Sequence, residues 1–442
     1  MRTGSCCLPL LLLALQCGSA PVTLGDKSIE PVYEQVLRDS AIKKRLHQVD
    51  FDKKSFSIED LFLLSLDRTE QLAIAAERGV AADAKVRRSY GAWLPRVSLV
   101  ATQYAPVSPG FAVPGIRFAA RQNIMTGLTE YTGIVGARLE RVAEEQALRA
   151  EMAAHLLNIA DAALQYQLSL QLLHEAREAV RITESGLAEI RRRVALGRNK
   201  RGDALKTEAR LRQKQADLLA AEERQAQWKR HLQFLTGYQD EFELVTSTNA
   251  FATEDMDLAK ADLSQRSDIA LGKTILSLRK NELAAAHGAH LPNIYLDGSY
   301  RPALEENQRT SYFGGIVAEL PLFQGGQLLE NQKIAQSRLR QAELELSLAE
   351  RKARTELADA RESLVKASAE KAAYAESAKA AEKNYLAQLS DMRLSLATIL
   401  DVVQSMEDLQ AARIARAQAE YREAIAQVRF FVATGRLFPA KQ

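Results

Sequence analysis

His287 and His290 stand three residues apart, a spacing at which two imidazoles can share a metal ion. No third ligand lies near them in the chain, so a solvated or packed pair is the simpler reading. His155 and His174 sit among ordinary helix residues. Cys6, Cys7 and Cys17 all lie at the extreme N-terminus, which leaves the rest without a thiolate for catalysis, zinc or a disulfide. No Gly-rich phosphate loop, nucleophile elbow or zinc-binding helix pattern occurs. Asp401, Gln404 and Asp408 share one face if their segment is helical. Arg191, Arg192, Arg193, Arg198, Lys200 and Arg201 form a basic cluster. These groupings point to charge and docking rather than bond making, so neither an enzyme nor a resident cofactor is expected. A net charge of +3 over 442 residues does not suit a nucleic-acid partner.

Residues 1–20 have the form of a signal peptide: Arg2, an apolar run over 8–15, then Gly18, Ser19 and Ala20. Pro21 leaves the cut site open, and Cys17 is an alternative lipidation site. Residues 21–56 carry mixed charge and no assignable pattern.

The elements that must position these groups come in two copies. Trp93-Leu94-Pro95-Arg96-Val97 recurs as His290-Leu291-Pro292-Asn293-Ile294, and Ala120 to Gly127 recurs as Ala318 to Gly325, about 198 residues on. Asp203 recurs as Asp401, and Thr236-Gly237 as Thr434-Gly435. This divides the chain into a first repeat over 57–237, a linker over 238–261, a second repeat over 262–438 and a tail over 439–442. Two long copies are a duplicated architecture, not a solenoid. No proline interrupts 115–291 or 322–438, so very long helices fit there. Leu148, Met152, Leu156, Ile159 and Ala163 mark a helical stripe in the first copy, and Ile334, Leu339, Leu344, Leu348 and Leu357 one in the second. About 60 helical residues span roughly 90 Å, more than a globular core, and need partners along their length. Each helix turns back once, near 197–203 and near 391–397. Asp203 is placed to cap the first returning helix. Glycine ends each return.

The proline-rich windows alternate with period two, near 95–105, 113–124, 292–302 and 311–322. Ile116, Phe118 and Ala120 oppose Arg117, Arg121 and Asn123; Tyr312, Ile316 and Ala318 oppose Phe313, Val317 and Glu319. A half-buried soluble hairpin and a membrane barrel strand share this pattern. Four strands cannot close a barrel, and open edges do not survive in lipid. In a membrane, three chains of four strands would pool twelve.

The layout resembles the TolC family of outer-membrane efflux proteins over 57–438. The resemblance rests on Ala92-Trp93-Leu94-Pro95, on Ala289-His290-Leu291-Pro292, and on Leu320-Pro321-Leu322-Phe323-Gln324-Gly325-Gly326, with Gln122 to Gly127 a weaker copy. It implies a mainly α fold with a small β part: coiled-coil hairpins form a periplasmic tunnel under a trimeric 12-stranded barrel in outer-membrane lipid. The implied function is a passive exit duct for efflux or type I secretion, docked to a periplasmic adaptor and an inner-membrane pump of RND, ABC or MFS type. It places adaptor docking at the tips, with Gly197, Arg198, Asp203 and Ser395. A tip latch falls on Asp203, with Arg393 as substitute partner, and a pore constriction on Asp401, with Gln404 and Asp408 behind it. The alternative class is an exported coiled-coil structural or adhesive protein without a pore.

Overall fold

The computed structural model describes residues 55–103, 114–197, 200–240, 242–245, 251, 263, 266–303, 309–394 and 396–437. Residues 1–20 with Cys17, residues 21–54, Arg198, Ser395, most of 238–261 and residues 438–442 lie outside them.

Each half repeats one plan. The first half has α1 (Ile58–Arg68), α2 (Glu70–Tyr90), β2 (Arg96–Gln103), β3 (Pro114–Thr126), α3 (Thr129–Ala195) and α4 (Arg201–Thr236). The second has α5 (Ser267–Gly288), β5 (Asn293–Arg301), β6 (Ser311–Glu319), α6 (Gln327–Arg393) and α7 (Ile399–Ala433). Two short strands, β1 (Ser55–Phe56) and β4 (Glu243–Leu244), pair in parallel beside them. The long helices α3 and α6 have 67 residues each, about 100 Å at ~1.5 Å per residue. The return helices, of 36 and 35 residues, cover only the tip-side part of that length. The shorter α2 and α5 pack along the long helices as well. Return helix and short helix meet at matched junctions. Gly237 lies against Arg68, and Gly435 against Arg266, both glycines at positive φ. Arg266 donates to the Ala433 carbonyl and pairs with Asp268 and Glu356, fastening α7, α5 and α6 together.

Three details depart from the sequence reading. Asp203 does not cap α4. Lys200 occupies the cap with no side-chain hydrogen bond, and Asp203 sits in the first turn, where its charge still suits the helix dipole. Helix α6 runs on to Arg393, because the amides of Leu394, Leu396 and Ala397 close the turn on the Ser390 and Asp391 carbonyls. Strand β6 stops at Glu319, just before Pro321, which lacks the N–H that a ladder needs.

The main core lies where α1 crosses the helices. Phe56, Ile58, Leu61, Phe62 and Leu64 meet Leu148, Met152, Leu156 and Ile159 of α3, Leu232 of α4, and Val428 and Phe431 of α7. A capping box between Ser57 and Asp60 starts α1. The α3 stripe expected from sequence is therefore buried. The α6 stripe is not: its buried residues are Leu357 and a line of alanines, while Ile334, Leu344 and Leu348 remain exposed.

His155 is buried in this core with Nε2 3.0 Å from Ser65 Oγ. Burial lowers its pKa below 6.5, against an opposing hydrogen bond to the Leu235 backbone. The unfolded chain then binds the proton first on acidification. The stability from neutral His155 is complete above about pH 6.5 and is lost as pH falls towards the lowered folded pKa. The thermal midpoint should fall between pH 7 and 5.5, and His155→Gln should flatten that dependence. An equally steep profile in the variant would contradict this assignment.

Candidate functional site

The four-stranded sheet has the order β2-β3-β5-β6 and is antiparallel throughout. Its centre, β3 on β5, joins the two halves, and a register shift between Asn123 and Met125 bends that seam. Both edges, β2 and β6, are unpaired in the single chain. The registers put Val97, Leu99, Phe118, Ala120, Leu296, Tyr300, Tyr312, Ile316 and Ala318 on one face, with no charged residue among them. That face is open: Val97 is 71% exposed and Ile316 70%. The other face carries Arg96, Ser98, Arg117, Arg121, Asp297, Ser299, Arg301 and Glu319. Edges and apolar face alike lack the cover that a soluble sheet requires.

The sheet meets the helices at glycine corners. Gly127 (φ +55) faces Gly288, and a Cβ on Gly288 would lie 2.2 Å from the Gly127 carbonyl oxygen. Leu128 follows with φ 62, where the second copy has Gly326. The equivalents of Gly288 and Gly127 are Gly91 and Gly325, which face open space.

At the other end lie the two tips. Gly197, exposed at φ +68, ends α3. Asp203 is half-buried, Arg393 is exposed, and no ion pair joins them among the described residues. The hairpins are instead tied further in. Arg210 lies 3.8 Å from Glu407, Lys214 donates to Gln410, and Arg413 bridges Glu175 and Glu382. These ties were not read from the sequence, since charges on charged helices carry no mark of which helix they face.

Asp401, Gln404 and Asp408 all lie on the exposed face of α7. The Asp401 carboxylate accepts from the Thr398 amide at 2.8 Å and its hydroxyl at 2.6 Å, and Thr398 Oγ1 accepts from the Asp401 amide in return. The Thr398 hydroxyl and amide hold its pKa below the usual carboxylate value. Gln404 donates to Asp408 at 3.2 Å. His287 and His290 are both exposed at the end of α5. Among the described residues no group of three metal-ligating side chains gathers, and no helix is long and apolar enough to cross a membrane.

No protein-family model and no curated protein sequence matches the chain. Solved structures do. A membrane protein from Pseudomonas aeruginosa is 20% identical with a TM-score of 0.76, over 86% of this chain and 90% of that one. The outer membrane protein VceC of Vibrio cholerae is 18% identical at 0.74, over 86% and 96%. The CmeC outer membrane channel of Campylobacter jejuni is 16% identical at 0.75, over 89% and 92%. The chain thus has the fold of these three solved structures, the architecture that the resemblance to the TolC family implies.

Proposed function

We propose that three copies of this chain form a passive exit duct across the outer membrane. The observation that carries this is the open sheet: an uncharged apolar face on four strands, with both edges unpaired. In lipid every backbone group needs a partner, so β6 of one chain must pair with β2 of the next until the ring closes. The helices support the same assembly. Ile334, Leu344, Leu348, Val365 and Leu386 are exposed on α6 and fall on a and d positions of one heptad frame, the seam of a coiled coil awaiting a helix. Within the chain, α3 of the first half packs on α5 and α7 of the second. The duplicated plan gives α6 the matching role against α2 and α4 of a neighbour. An exported coiled coil without a pore would also use this stripe, but it has no need of the apolar sheet face.

The tips then reach towards the periplasm, where Gly197, Arg198, Asp203 and Ser395 would meet an adaptor protein and, through it, an inner-membrane pump. Asp401 would stand three times around the narrow end, with Gln404 and Asp408 above it. The pump delivers the cargo to the duct.

The internal seam predicts the seam between chains. The two hairpins have identical registers once the repeat offset is applied: Val97 opposes Ala120 as Ile294 opposes Ala318, and Leu99 opposes Phe118 as Leu296 opposes Ile316. Applying that offset to Ala120 opposite Gly298 places Ala318 opposite Ala101 of the neighbouring chain. The mature chain has no competing thiol if it is cut after Cys17. A101C with A318C should therefore oxidise to covalent trimers in membranes. A101C with I316C, one pleat along, should cross-link far less. Equal cross-linking of both pairs, or of neither, would count against the closed barrel.

A further inference from the structure

We propose that the inner wall of the barrel is a cationic ring that selects anionic solutes, those bearing carboxylate or phosphate-like groups. The inference rests on the duct reading, which turns the apolar face to lipid and the polar face to the lumen. All charged side chains of the four strands lie on that polar face: Arg96, Arg117, Arg121 and Arg301 against Asp297 and Glu319. Arg121 is engaged, 3.6 Å from Asp297 and stacked 4.5 Å from the Tyr295 ring centroid. Arg96 stands directly opposite Arg121 in the ladder, a like-charge juxtaposition that costs stability rather than adding it. Among the described residues no carboxylate reaches Arg96 or Arg117. The loop joining β2 to β3, residues 104–113, contains no charged residue, and the one joining β5 to β6 carries Glu305, Glu306 and Arg309, one net negative charge outside the strands.

Four arginines less two acids leave an excess of two positive charges per chain on this wall, and six around a trimer. A low-dielectric wall focuses such a field into the lumen, and rings of Arg or Lys bias pores towards anions. The guanidinium fork suits carboxylate and phosphate oxygens better than a point charge does. The ring lies at the opposite end of the duct from Asp401, so the duct has two filters of opposite sign in series.

The test is the reversal potential of the purified protein in a planar bilayer under a tenfold potassium chloride gradient. In R96Q/R117Q the chloride-to-potassium permeability ratio should fall by about threefold or more relative to the unsubstituted protein. Asp401 is the same in both proteins, so the difference reports the barrel alone. Trimer mobility on native gels checks that R96Q/R117Q assembles; should it not, the single variant R117Q is measured, with the same direction expected. A permeability ratio unchanged in an assembled variant overturns the ring while leaving the duct intact. Absence of channels from the unsubstituted protein overturns the duct itself, and the ring with it.

Discussion

Replacing Gly91 with alanine should prevent trimers while sparing the fold of the chain, whereas Gly288→Ala should damage the fold itself. The two glycines hold the same place in the two repeats, at the corner where a helix hands over to a strand. Gly288 abuts Gly127, and its new Cβ would lie 2.2 Å from a backbone oxygen. No side chain can rotate away to relieve that contact. The cost is about 3 kcal/mol or more, a large share of ordinary stability. Gly91 has nothing within 4 Å in the single chain, and neither has its expected partner Gly325. Alanine there should therefore be neutral for the lone chain. If the seam between chains copies the internal seam, each of three contacts would meet the same clash, and about 3 kcal/mol is roughly a hundredfold in affinity at each. Native mass in detergent reads the trimer, and far-ultraviolet circular dichroism reads the helices. A G91A trimer as stable as the unsubstituted one would mean that the chains meet by some other geometry.

The second large effect is expected at Asp401. Asp401→Ala should make the duct leak, with single-channel conductance up severalfold and cells sensitised to bulky antibiotics. The structure adds a competing cause, because this carboxylate also closes the capping box on Thr398. Its removal weakens the start of α7. Thr398→Ala separates the two. It breaks the box and keeps the carboxylate, so it should lower stability by a similar amount without the leak. A leak of equal size in T398A would assign the effect to helix fraying. Hydrogen bonds from Thr398 hold the Asp401 pKa of the single chain below the usual carboxylate value, whereas like charges meeting in a ring oppose that shift.

The first repeat shows why the tip was only partly legible. Asp203 and Asp401 are the same residue at the same place, three positions after the cap. Thr398 has a hydroxyl to complete a box, and Lys200 has none. The pattern of one residue thus carried the position of the turn but not its chemistry, which depends on its partner. The α6 stripe is a similar case. Its helical period was plain in Ile334, Leu344 and Leu348, yet period alone does not say whether the facing helix belongs to the same chain.

Local physics therefore determined much from the sequence alone. Proline placement bounded the long helices, because a proline in a helix interior removes an i to i−4 hydrogen bond. Period-two alternation located the four strands, and the matched motifs revealed the duplication. Only the tertiary structure decided how the halves meet. Pairing of β3 with β5 joins residues far apart in the chain, and the backbones of Gly127 and Gly288 approach closely beside that seam, a contact no local preference encodes. That one closed seam leaves β2, β6, Gly91 and Gly325 open, because a chain with two equivalent halves can satisfy only one of its two kinds of junction by itself.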